Sequence, residues 1–253
     1  MQETATLLER YMEPLLGGHR QECRRIVRDA LAEGVKPNTI YHEVFWPTMV
    51  HLDGLYREDR INIAVEHMAT RITRSLADQL QAHLPPCVPN GRKIIIACAD
   101  DEPEELGAQM LADLFEADGW MVYFLGGGVP NDEILPLVGE HRPDILMVYG
   151  SKPRGVPGVR QLIDLLADVG VHPTMNVMIS GGVFNRADGL WEEIQADLFA
   201  PTAAEALEVA RDSKPKVPVP RKPGVPKKRR RRRRPPLLVQ SEAAQAAQTA
   251  KAT

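Results

Sequence analysis

Three cysteines in 253 residues, Cys23, Cys87 and Cys98, leave an odd count with no C-x-x-C pair. That excludes a disulfide framework and points to a reducing cytoplasm. No apolar run approaches the length of a membrane span. The first residues, MQETATLLERYMEPLL, lack the basic-then-apolar order of a secretory signal. His19, His42, His51, His83, His141 and His172 stand at no metal-ligand spacing. GGGVPND does not fit G-x-G-x-x-G, so a dinucleotide has no support. No nucleophile–base or acid–base pair is visible either, which argues against an enzyme.

What is present is divided by charge. Of 31 Lys/Arg residues 13 lie in 213–253, but of 34 Asp/Glu residues only Glu242 does. Residues 1–212 therefore carry −15 and the remainder +12, although the whole chain reads −3. The tail is rich in proline and poor in apolar residues, cannot offset its ordering entropy, and is expected to be disordered. Within it PKKRRRRRRPP sets Lys227, Lys228, Arg229, Arg230, Arg231, Arg232, Arg233 and Arg234 in a row. Such a run binds phosphate by charge and counterion release without reading sequence. Nucleic acid or another polyanion is one expected partner. A solvated tail, or one folded back on the acidic body, is the equal alternative, and an anionic membrane surface the weaker one.

Residues 1–86 read as helices throughout. Leu7, Leu8, Tyr11 and Leu15 recur at helical spacing, as do Ile26, Val27, Ala30 and Leu31. LLGGHR and EGVKPNT separate the first three helices, and Pro47 is a candidate kink in the third. A fourth ends at Pro85-Pro86, completing an antiparallel four-helix bundle before the linker PPCVPNGR. From Lys93 short apolar runs appear (KIIIAC, WMVYFL, DILMVY, NVMIS and a weaker ADLFA). Helical patterns start near Pro103, Asn131, Val156, Asn185 and Ala203. This alternation predicts an α/β domain over 92–212, a five-stranded parallel sheet of the flavodoxin-like kind. Ligands in such sheets sit beyond the carboxyl ends of the strands.

The first of those ends, ACADDEPEELG, crowds five carboxylates. Acids at the start of a helix complement its dipole and cap its free N–H groups. A hard-metal site for Mg²⁺ or Ca²⁺ is the sharper and weaker reading. Gly126, Gly127 and Gly128 fit close approach of a flat ligand or a plain turn.

The layout and four ordered segments resemble the cobalamin-binding modules of corrinoid methyltransferases and cobalamin-dependent photoreceptor regulators. In YREDRINIAVEHMAT, Tyr56 stands where the family has Trp, with Glu66 and His67 as its Glu-His pair. EPEELG matches the family's D-x-H-x-x-G, ending on Gly107. YGSKP, with Ser151, and ISGGVF, with Gly181 and Gly182, fall where the family keeps the motifs around the nucleotide tail. The resemblance implies cobalamin as cofactor, with Tyr56, Glu66 and His67 on its upper side. It also exposes a departure: Glu102 replaces the Asp and Glu104 replaces the histidine that ligates cobalt from below. A carboxylate is a poorer partner for Co(III) than imidazole. The cofactor is then held base-on, or its binding has been lost. The leading expectation is a regulatory or sensor module, with a regulator partner or a second copy. A corrinoid subunit of a methyltransferase system and a cofactor-free interaction scaffold are the alternatives.

Overall fold

The structure, a computed structural model, describes residues 2–85, 87–99 and 105–218. Glu102, Glu104, the helix start expected at Pro103 and the basic run from Lys227 to Arg234 lie outside them.

The helical segment opens with α1 (Gln2–Leu16) and α2 (Arg20–Ala32). The third expected helix comes in three parts: α3 (Pro37–Ile40), a π-helical turn (Tyr41–Phe45) and α4 (Trp46–Arg57). Pro47 has no N–H to offer the carbonyl four residues back, so the ladder widens just before it. The Trp46 N–H donates to Tyr41 O, five residues back. The proline therefore produces a π turn in place of a simple kink. α5 (Ile63–Gln81) starts at Asn62, whose side-chain oxygen accepts the Val65 N–H at 3.0 Å. Tyr11, Tyr41 and Phe45 are fully buried among these helices. Phe45 lies with its ring centroid 5.6 Å from Tyr11 and 6.0 Å from Tyr41.

The strands are β1 (Lys93–Cys98), β2 (Met121–Gly126), β3 (Ile145–Tyr149), β4 (Asn176–Ser180) and β5 (Leu198–Ala200). All pairings are parallel, in the order β2-β1-β3-β4-β5, the flavodoxin-like order. Between and after them run α6 (Leu106–Ala117), α7 (Asn131–His141), α8 (Val156–Val169) and α11 (Ala203–Asp212). Where one helix is expected near Asn185 there are two short ones, α9 (Gly182–Arg186) and α10 (Leu190–Glu193). Positive φ at Gly189 divides them.

Strand alternation sends Ile94, Ile96, Met147 and Met178 to one face, and Ile95, Leu146, Val148 and Ile179 to the other. The first face shares one continuous core with α6, α11 and the bundle, so helical and sheet segments form one compact unit. Tyr41 Oη meets Asp113 of α6 at 2.8 Å and the Ala77 carbonyl at 3.0 Å. Ser213–Pro218, assigned by sequence to the tail, are tied to the body. Arg92 donates to Ser213 Oγ at 2.8 Å, Asn176 donates to Lys214 O at 2.8 Å, and Lys216 pairs with Asp197 at 2.5 Å.

Candidate functional site

A crevice of about 680 Å³ opens between α4, α5 and the carboxyl ends of β3 and β4. Its upper wall is one stripe of α4: Trp46, Met49, Val50, Asp53, Tyr56 and Arg57. These positions follow the i, i+3, i+4, i+7 spacing of a single helix face. Thr48 and Leu52 of α4 are buried, and Leu52 also reaches the lining. The π turn lets one continuous segment serve both purposes: Tyr41 and Phe45 enter the core before it, and Trp46 turns to the crevice after it. Glu66 joins the wall from the first turn of α5, where the helix dipole favours its charge.

The lower wall is built mostly from backbone and short side chains. Gly107 and Met110 of α6, Tyr149 at the end of β3, and Ser151–Arg154 after it line one part. Gly181, Gly182, Asn185 and Arg186 line the rest. At Gly181 φ is +109°, and a Cβ there would overlap the backbone of Gly150. Two strand ends thus cross backbone to backbone, an approach that only glycine permits.

One carboxylate ties the walls together. Asp53 Oδ2 accepts from Arg57 Nε at 3.0 Å and from Arg186 Nη1 at 2.8 Å, and Arg186 Nη2 donates to Ser151 O at 2.7 Å. Arg57, Lys152, Arg154 and Arg186 outnumber Asp53 and Glu66 around the crevice. This net positive lining suits a ligand that carries an anionic group.

Tyr56, Glu66, Gly107, Ser151, Gly181 and Gly182 therefore converge as the sequence indicates. His67 does not join them: it is exposed and absent from the lining. The reason is helical phase, because Glu66, Ala69, Thr70 and Thr73 take the buried face of α5 and the next residue turns about 100° away. Gly126, Gly127 and Gly128 also lie apart from the crevice lining. Gly126 and Gly127 serve a clamp. Glu105 accepts the Gly127 N–H at 2.7 Å and pairs with Arg74 of α5 at 3.5 Å. A Cβ on Gly126 would crowd that carboxylate. Glu105 makes no side-chain cap to α6, so its charge joins three elements rather than capping one helix.

Sequence reading missed Trp46, Met49, Asp53, Tyr149 and Arg186. The α4 stripe was legible as a second helical face; nothing in the sequence signalled the Asp53–Arg186 contact, which spans 133 positions. Among the described residues no histidine or cysteine lines the crevice. Among the described residues no group of three His, Cys, Asp or Glu side chains is placed to hold a metal ion. Nor is any described helix long and apolar enough to cross a membrane.

At the seam between α6 and the bundle, away from the crevice lining, burial raises the Asp113 carboxyl to about 6, with the Tyr41 hydrogen bond opposing and Asp78 and Glu116 adding to the rise. Tyr41 has one proton and two acceptors. It therefore donates to the Asp113 carboxyl or to the Ala77 carbonyl, one at a time.

Comparison with known proteins agrees with this architecture. Two family models, each described as a B12 binding domain, match residues 7–81 and 92–211. Dimethylamine corrinoid protein 3 of Methanosarcina acetivorans is 22% identical over 214 residues, covering 84% of this chain and 99% of that protein. Monomethylamine corrinoid protein 2 of the same organism is 23% identical over 194 residues, 74% of this chain and 88% of that one. Among solved structures, the Methanosarcina barkeri monomethylamine corrinoid protein superposes with a TM-score of 0.73 at 20% identity, covering 81% of this chain and 97% of that chain; this is a likeness of fold. With a helical cap followed by a five-stranded α/β domain, and a B12-binding model matching each, the chain belongs to the B12-binding-domain family and is a cobalamin-binding module.

Proposed function

We propose that the chain is the corrinoid-carrying subunit of a methyl-transfer system, with the crevice between α4 and the β3 and β4 ends as the cofactor seat. The observation that carries this reading is the lining itself. It has flat apolar groups on one wall, glycine backbone and polar groups on the other, and a cationic surplus. Trp46 and Tyr56 offer aromatic surface to a flat ring. Ser151 and Asn185 suit the amide side chains of a corrin, and Lys152 and Arg154 its phosphodiester. Bound there, cobalamin would supply a cobalt able to take up and release a methyl group. In this reading donor and acceptor chemistry falls to partner enzymes. The relatives are corrinoid proteins of methylamine systems, which favours this carrier role over the sensor role expected from the sequence.

Purified full-length chain loaded with hydroxocobalamin, reduced, and mixed with a methylamine donor and its corrinoid methyltransferase tests the reading. Conversion to the methylcobalamin spectrum is expected. A chain that stays unmethylated, yet changes mass in light when loaded with adenosylcobalamin, is a sensor and contradicts the carrier role.

A further inference from the structure

We infer that a second cavity, at the amino ends of the strands, takes a phosphate group on Arg92 and Arg142. It lies at the opposite end of the sheet from the crevice and does not depend on the cobalamin reading. Its volume is about 260 Å³. Arg92 stands just before β1 and Asp144 just before β3, and Thr174 and Asn176 open β4. Arg142 and His172 enter from the turns that follow α7 and α8, and Pro215 completes the lining. The charges of this cavity are unevenly matched. Arg92 donates to the Ala210 carbonyl at 2.6 Å and to Ser213 Oγ at 2.8 Å, and lies 4.3 Å over the Trp120 ring. All three partners are neutral. Arg142 Nη2 meets only an imidazole nitrogen, His172 Nδ1, at 3.5 Å. Neither guanidinium reaches a carboxylate at ion-pair distance among the described residues. Asp144, the one acid in the lining, already accepts the Lys93 N–H at 2.8 Å.

Two guanidinium groups from separate elements suit an anion with oxygens on several sides, tetrahedral rather than flat. Thr174 Oγ1, 3.4 Å from His172 Nδ1, adds a hydroxyl. The volume is below the roughly 300 Å³ at which drug-sized pockets begin, so it admits a phosphate with few attached atoms. Burial, then Arg142, holds His172 below its usual range, while Asp144 and a bond to the Pro143 backbone oppose. An anion that accepts from Arg142 relieves this repulsion and lets the imidazole take a proton. The cavity also carries the segment Ser213–Pro218. The Lys216 N–H donates to Thr174 O at 2.8 Å and Asn176 Nδ2 to Lys214 O at 2.8 Å, so that segment hangs on residues of the lining. A phosphate bound against Pro215 fastens it further.

The test is nuclear magnetic resonance of the full-length chain titrated with inorganic phosphate, and separately with glycerol phosphate, at fixed ionic strength. The His172 ring signal, identified by its loss in His172→Gln, reports this cavity alone, apart from any phosphate gathered by the basic run. A saturable shift is expected, with the imidazole taking up its proton at a higher pH than in chloride and with slower exchange of the Lys216 N–H. Arg142→Gln is expected to weaken binding about tenfold, the loss of one charge-assisted bond. Asp144→Asn keeps an acceptor for the Lys93 N–H, removes the opposing charge, and is expected to tighten binding. Saturation by only one of the two compounds supports the site and names its source, free phosphate or a phosphorylated small molecule. A shift that grows in proportion to both compounds without saturating overturns the inference. So does binding unchanged in Arg142→Gln when the rest of its amide spectrum is native. Should Arg142→Gln not fold, Asp144→Asn decides, and equal or weaker binding there overturns the site.

Discussion

The two walls of the crevice are made on different principles. The α4 wall is a stripe of large side chains on a regular helix, and each can be shortened without disturbing its neighbours' backbone. The sheet wall depends on close approach at glycines, with Gly181 against the Gly150 backbone and Gly107 of α6 against the Tyr149 ring. Changes to the first wall should alter what binds; changes to the second should alter whether the chain folds. Asp53, held by arginines from both sides, is where the two meet.

Gly181→Ala sharpens this contrast most. It adds a methyl inside the Gly150 backbone and forces alanine to a φ of +109°, so a loss of about 3 kcal/mol or more is expected in urea unfolding. A loss below about 1 kcal/mol would show that the strand ends can part.

Asp113→Asn probes the seam between bundle and α6. The folded carboxyl titrates near 6, above the ordinary 3.8, so between roughly pH 4 and 6 the native state keeps a proton that the unfolded chain has lost. Its stabilising effect is full below that window and disappears as pH rises through 6. Asparagine can still bond Tyr41, so the variant should gain on the order of 2 kcal/mol at pH 7 and show a flatter profile from pH 4 to 6. An unchanged profile would mean that Asp113 ionises freely.

Tyr56→Ala, on the side-chain wall, removes stacking worth about 1 kcal/mol and should weaken cobalamin binding roughly fivefold with no change in Tm. A fall in Tm comparable to that of the glycine variant would erase the distinction between the walls. Asp53→Ala should have the smallest effect. Its ion pairs are half exposed and worth under about 1 kcal/mol, seen as a slight loss of affinity that high salt already produces in the parent.

The fold was legible because its signals are periodic. Apolar runs such as KIIIAC and NVMIS mark β1 and β4 at their observed bounds, and the helix-to-strand change near Lys93 marks the start of the sheet. The site was legible only where a motif carried it. Tyr56, Glu66, Ser151 and the glycine pair were located by segments, but Glu66 and His67, adjacent in sequence, part company because consecutive helical residues face different ways. Gly126–Gly128 read equally as a ligand loop or a plain turn, and Gly126 and Gly127 lie against Glu105, a contact 22 positions away for Gly127. Tyr149 gave no signal of its own: an aromatic at a strand end is ordinary, and only its place over Gly107 makes it a floor.

The central claim is that cobalamin sits between the α4 stripe and the β3 and β4 ends. Amide hydrogen exchange of the full-length chain, with and without hydroxocobalamin, tests it most directly. The account predicts slowed exchange in 46–57, 150–155 and 181–186, with little change along β2. Protection confined to 121–128, or spread evenly over the chain, would contradict it.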